Sequence, residues 1–242
     1  VGSILAFSGM VTAGMIHSGL NVWIAILIGL VIGTVLGLVN GLSVTKGNVP
    51  PFIATLAMMT MARGATLVYS SGRPKSNLGE AFGFLGQGKI LSIPVPVIIL
   101  FFVFIVAYYV LTQTATGRYI YATGSNEKAA KLSGIKTDYI KLLVYAVSGF
   151  TAALTGMVVT SMLDSASPTA GTGAELDAIA AVVLGGTSLS GGQGGVVGTI
   201  IGALIIGVLN NGLNLLDVSS YYQQLIKGIV ILVAVLIDRR RR

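Results

Sequence analysis

QTATGRYIYATGSNEKAAKLSGIKTDYIK, residues 113–141, is the one long polar interruption in an otherwise apolar chain. It carries Arg118, Lys128, Lys131, Lys136 and Lys141 against only Glu127 and Asp138. A Lys/Arg excess in a short connection between hydrophobic segments places that connection on the cytoplasmic side of a membrane. Within it, Asn126–Leu132 (NEKAAKL) is rich in helix formers. Ser125 is placed to cap this short helix, Glu127 and Lys131 are spaced for an i,i+4 pair, and Gly134 closes it. A polar helix held between two greasy segments has little core of its own to bury. It reads either as a docking point for a cytoplasmic partner or as an ordinary solvated basic loop.

Composition sets the class. The 242 residues are 54% hydrophobic and 10% charged, with a mean hydropathy of +0.88, whereas soluble domains carry roughly 25% charged residues. The expected fold class is an all-α, polytopic membrane protein. There is no cysteine, which removes disulfides, thiolate chemistry and Cys-ligated metals, and His17 is the only histidine. Neither a metal nor a cofactor is expected. The formal charge of +7 does not point to nucleic acid, since Arg239–Arg242 and the five basic residues of the central stretch make up nine of the fifteen. Val1 opens inside an apolar run without an initiator Met or a basic leader, so the chain reads as a fragment that lacks its N-terminus.

Hydropathy divides the remainder into spans. Val1–His17 is about the minimum length, and Val22–Leu42, Phe52–Tyr69, Val95–Leu111, Leu142–Leu163, Val196–Leu213 and Tyr222–Ile237 follow. With the helix that opens at Ala174, about eight spans are expected. Gly29, Gly33, Gly37 and Gly41 recur at four-residue spacing, a stripe that lets a neighbouring helix approach closely in lipid. Arg63 sits in the middle of the third span, where a charge costs about 2.5–3.5 kcal/mol on insertion scales. It reads as a pathway or anchoring residue, or, as the favoured alternative, as a side chain snorkelling to an interface. Ser70–Pro94 reads as a polar, Gly-rich loop whose Arg73, Lys75 and Lys89 run against the charge bias expected of an outer connection. Glu175 and Asp177 fall in a first helical turn, where the helix dipole accounts for both.

Two further patterns bear on function. A shift of 171 residues lays Gly2, Leu5, Val11, Gly14 and Asn40-Gly41-Leu42 on Gly173, Leu176, Val182, Gly185 and Asn211-Gly212-Leu213. An odd number of crossings separates the copies, so they would run in opposite directions, and inverted repeats of this kind point to a transporter. The second pattern is Leu189-Ser190-Gly191-Gly192-Gln193, which spells a short motif of ABC-type ATPases. A nucleotide site would also need a GxxxxGK[ST] phosphate loop, and the chain has none. The stretch is therefore read as a glycine-rich turn between spans.

PFIATLAMMTMARG at 51–64, YATGSNEKAAKLSGI at 121–135, ELDAIAAVVLGGTSLSGGQGG at 175–195 and VLNNGLNLL at 208–216 together resemble the permease subunits of bacterial sugar ABC importers, the ribose-transporting members in particular. The resemblance covers essentially the whole chain. It implies a type II importer architecture of about ten helices, with roughly two absent at the N-terminus, in the inner (cytoplasmic) membrane. Residues 1–242 would form one permease domain, with a first repeat block at 1–70, a coupling loop at 113–141 and a second block at 142–242. Family members dock a cytoplasmic ABC ATPase subunit on an EAA-type segment. The matching positions here are Glu127, Ala129, Ala130 and Gly134, with Lys128 interposed, a small departure from the family pattern.

The resemblance further implies alternating access without covalent chemistry, delivery by an extracytoplasmic sugar-binding protein, and a second permease copy in a homodimer within the lipid. The expected substrate is a monosaccharide, D-ribose first, with xylose, galactose or a branched-chain amino acid as alternatives. A neutral sugar calls for hydroxyl and amide groups rather than fixed charges along its path. Asn40, Asn210, Asn211 and Asn214 are the residues of that type, and interhelical bonding or helix-end capping explains them equally well. An intramembrane enzyme would need clustered catalytic groups, and a channel would need a filter motif or a charged ring. The sequence offers neither.

Overall fold

The computed structural model describes residues 1–219, 221–223, 225, 226, 228–230 and 232. The chain divides into two compact units, Val1–Phe102 with Asp138–Thr172, and Val103–Thr137 with Gly173–Arg242. The first unit holds α1 (Gly2–His17), α2 (Val22–Thr45), α3 (Pro51–Ser70), β1 (Lys75–Ser76), α4 (Glu80–Gln87), β2 (Lys89–Ile90) and β3 (Ile93–Pro94). It also holds the start of α5 (Val95–Gln113), nearly all of α8 (Thr137–Met162) and β4 (Ser165–Ala166). The second holds the rest of α5 with α6 (Ala115–Ser125), α7 (Glu127–Leu132), α9 (Ala174–Leu184) and α10 (Val196–Leu215).

Five of these helices, α2, α3, α5, α8 and α10, are long and apolar enough to cross a membrane. Their bounds fall close to those expected from hydropathy, because a run of apolar residues in lipid has only the helix as a way to pair its own backbone. The two shorter apolar helices are different. At 1.5 Å per residue the 16 residues of α1 reach about 24 Å and the 11 of α9 about 16 Å, against a hydrocarbon core of about 30 Å. Helix α9 is therefore too short to cross alone, and 185–195 continues it as non-helical chain. Half of the residues of the span expected at Tyr222–Ile237 lie outside the described residues, and Arg239–Arg242 lies wholly outside them.

Helix α1 is the centre of the first unit. Almost every residue from Gly2 to Gly14 is buried, and it packs against both α2 and α3. Lipid tails are as apolar as leucine, so such helices are held by close van der Waals contact rather than by the hydrophobic effect. Glycine supplies that closeness. A Cβ on Gly149 of α8 would overlap the Gly33 carbonyl oxygen of α2 and lie 2.9 Å from Gly37 Cα. The expected glycine stripe of α2 thus has an identified partner.

Residues 70–94 are not the loop that their composition suggests. Leu78 and Phe82 are almost wholly buried, and α4 lies across the end of α8. Ser161 Oγ donates to Phe82 O at 2.6 Å and accepts from Gly86 N at 2.7 Å, and Asp164 Oδ1 accepts from Leu78 N at 2.9 Å. Strands β1 and β4 pair antiparallel, and His17 Nε2–H donates to Ser76 O at 2.9 Å. These ties fix a cap over one end of the unit. One of its basic residues also finds a local role, because Lys75 Nζ lies 4.6 Å from the centre of the Tyr69 ring, a cation–π contact.

Adding a methyl at Gly149 meets immovable backbone, whereas a Cβ on Gly64 of α3 has nothing within 4 Å. Gly149→Ala is expected to destabilise the folded protein by about 1–3 kcal/mol. Gly64→Ala should be neutral or stabilising by less than about 1 kcal/mol. Denaturation midpoints of the two purified variants in one detergent provide the comparison.

Candidate functional site

The central stretch folds as two short helices between α5 and α8. Thr114 caps α6, its Oγ1 accepting from Gly117 N at 3.2 Å and donating to Val110 O at 2.6 Å. Gly117 is buried against the carbonyls that end α5, so the chain reverses tightly there. Asn126 then breaks the helix at φ −155° and ψ 98°, and its Oδ1 accepts from Ala129 N at 3.0 Å. Asn126 is therefore the cap of α7, in place of Ser125, which is still part of α6. Asparagine has the reach to bond the N3 amide from an extended backbone, and the cap position moved one residue on.

The other end of α7 is closed as the sequence suggests. Gly134 sits at φ +83°, a left-handed conformation that side chains rarely adopt, and its N–H donates to Lys131 O at 3.1 Å. Ile135 N donates to Ala130 O at 3.1 Å, and Ser133 Oγ donates to Ala129 O at 3.0 Å. Glu127 lies in the first turn and Lys131 in the last, each at the end that its charge favours. Of the expected docking residues, Glu127, Lys128, Ala129 and Gly134 are exposed, while Ala130 is buried and pins the helix from beneath. Leu132, which the sequence did not single out, is 90% exposed. It stands as an apolar knob on the exposed face of a doubly capped polar helix.

The glycine-rich stretch after α9 also belongs to this unit. Gly191 and Gly192 take φ +88° and +73°, and Ser188 N donates to Gln193 O at 3.0 Å, closing a turn as the sequence implies. The Tyr121 hydroxyl of α6 donates to Gly194 O at 3.0 Å. Leu111, Tyr121, Gly124, Thr187, Ser188 and Gln193 are among the residues around a cleft of about 410 Å³ at this junction. Helices α9 and α10 leave the turn in close contact, since a Cβ on Gly185 would overlap the Gly198 carbonyl oxygen.

The remaining expected residues are placed as follows. Arg63 is half-buried, and its Nη1 donates to Pro168 O at 2.7 Å and Ala170 O at 3.0 Å. It anchors the segment that follows α8 and does not snorkel, because two carbonyls of a nearby turn replace the water that it would otherwise seek. Asn40 is buried in the first unit at 7% exposure. Asn210, Asn211 and Asn214 sit together at the C-terminal end of α10 in the second unit. Asn214 Oδ1 accepts from Gln223 Nε2 at 2.8 Å, and Asn210 Oδ1 is buried without a partner. Among the described residues no group of three His, Asp or Glu side chains is arranged to hold a metal.

Comparison with known proteins gives concordant matches. The profile of the family described as "Branched-chain amino acid transport system / permease component" matches residues 1–235. The ribose import permease protein of Bacillus subtilis is 59% identical over all of this chain and 76% of its own length. That of Haemophilus influenzae is 57% identical over 98% of this chain and 75% of its own. The D-allose transport system permease protein of Escherichia coli is 43% identical over 99% and 74%. No solved structure matches the chain.

Removal of an N-cap side chain costs about 1 kcal/mol. Asn126→Ala should therefore speed amide hydrogen exchange across Ala129–Leu132 by roughly fivefold. Ser125→Ala should leave it unchanged, and the reverse pattern would return the cap to Ser125.

Proposed function

The chain belongs to the permease-component family of branched-chain amino acid-type transport systems, and on that premise we propose that it is the permease of an ATP-driven ABC importer carrying D-ribose across the inner (cytoplasmic) membrane. The observation that carries the substrate is whole-chain identity with ribose import permeases, higher than that with the D-allose permease. The family's own description favours branched-chain amino acids as the second reading. A zwitterion at membrane depth requires a charged partner. Arg63, the charged residue within α3, is already engaged by two carbonyls.

The work is divided between subunits. The permease has no GxxxxGK[ST] loop and so turns over no ATP. Hydrolysis belongs to a cytoplasmic ATPase that grips α7 through the exposed Glu127, Lys128, Ala129 and Gly134, with Ala130 holding the helix from beneath. Both ends of that helix are capped, so force applied there moves the helix instead of unravelling it. A sugar-binding protein delivers ribose at the opposite face, and a second permease copy completes the pathway. The blocks 1–70 and 142–242 are the inverted copies, a pattern characteristic of transporters. Asn40, Asn210, Asn211 and Asn214 exchange hydrogen bonds with the sugar in place of water. The unpartnered Asn210 Oδ1 supports this, since a buried acceptor left unmade costs about 1–3 kcal/mol.

Reconstitution of the permease with its ATPase and binding protein in proteoliposomes tests the reading. ATP-dependent uptake of labelled ribose should exceed that of xylose, galactose and leucine, and uptake that needs no ATPase would overturn it. Glu127→Ala should weaken co-purification of the ATPase with membrane insertion unchanged. Wild-type association and transport in that variant would remove α7 as the docking helix.

A further inference from the structure

The end of α6 and the glycine turn meet backbone to backbone. A Cβ on Gly124 would stand 2.8 Å from Gly192 N, one on Gly191 would stand 2.5 Å from Gly124 O, and one on Gly192 would stand 2.7 Å from Ser125 Cα. Real Cβ atoms do not approach other atoms so closely, so three glycines are required here by space. Gly191 and Gly192 are required by their positive φ as well. The Tyr121 hydroxyl, one helical turn back from Ser125, closes the contact on Gly194 O.

We propose that this contact is the latch through which motion of α7 reaches the α9–α10 hairpin, which makes Tyr121, Gly124 and Gly192 positioning residues for transport. The inference rests on the importer reading above and extends it beyond the docking helix. Only Asn126 separates α7 from α6, so the two short helices move together. Where two elements touch through long side chains, rotamer changes absorb small displacements. Where they touch through bare backbone, nothing is left to yield, and packed elements of this kind transmit strain.

On the far side of the latch the turn is tied internally by the Ser188 N to Gln193 O bond. It leads into two helices clasped at Gly185 against Gly198 and at Gly202 against the Ala181 carbonyl. A push on α6 therefore carries the hairpin as one piece, including the asparagines near the C-terminal end of α10. The motif that looks like part of an ATPase acquires a mechanical reason for its glycines, one independent of nucleotide.

The test is a coupling ratio, ribose taken up per ATP hydrolysed, in proteoliposomes holding permease, ATPase and binding protein. Tyr121→Phe deletes one oxygen and Gly124→Ala inserts one methyl into the contact. Gly207→Ala, where a Cβ meets nothing within 4 Å, serves as control. Gly124→Ala is expected to lower the ratio about fivefold or more and Tyr121→Phe about two- to threefold, a lost hydrogen bond being worth a factor of that order. ATP turnover should stay within about twofold of wild type, and Gly207→Ala should keep the wild-type ratio. Unchanged ratios in both latch variants would overturn the latch, as would equal falls in uptake and ATP turnover. Should Gly124→Ala fail to assemble, Tyr121→Phe alone decides. Absence of ATP-driven uptake in the wild-type vesicles would count against the importer reading and not against the latch.

Discussion

Close backbone contact at glycine is the interaction on which the rest of this structure depends. In a bilayer every spanning segment satisfies its own hydrogen bonds as a helix, and the solvent then gives the helices no hydrophobic reason to associate. What remains is dispersion, which decays steeply with distance and rewards helices that can touch without side chains between them. In the first unit this occurs where Gly33 and Gly37 meet Gly149, around a buried α1. In the second it occurs where Gly185 meets Gly198. Thirty-three glycines in 242 residues are thus spent on packing as much as on turns.

The same economy of side chains explains how a chain with little reactive chemistry can do work. No cysteine is present, there is a single histidine, and the charged residues cluster where the chain leaves the apolar segments. On the proposed reading, function resides in the mechanical path from α7, through Asn126 and α6, to the glycine turn and the hairpin beyond it. The proposed docking on α7 requires a helix that stays folded though it is only six residues long. Such a helix would be marginal in water by itself. The Asn126 cap, the Gly134 reversal and the buried Ala130 supply what its length lacks.

The spans were legible because their signal is compositional and local: the bounds of α2, α3, α5 and α10 differ from the hydropathy reading by three residues or fewer. The α7 helix and its Gly134 stop were legible for the same reason. Residues 70–94 were not, since the burial of Phe82 and Leu78 depends on Ser161 and Asp164, more than 70 positions away. Arg63 was misjudged on similar grounds. Its partners are backbone carbonyls at 168 and 170, and carbonyls leave no mark in a sequence. The latch was hidden as well, because Gly191 and Gly192 signal a turn equally well whether or not another helix rests on them. A tyrosine followed three positions later by glycine in a basic loop was the only hint.

The proposed docking requires the polar patch to face the cytoplasm, and a cysteine-free sequence makes that simple to examine. With Lys136→Cys, an exposed position beside α7, as the sole thiol, a membrane-impermeant maleimide can be applied to intact cells and to inside-out vesicles. Modification in the vesicles with protection in the cells is the predicted result. Modification of intact cells would place the central segment outside and contradict the mechanism at its root.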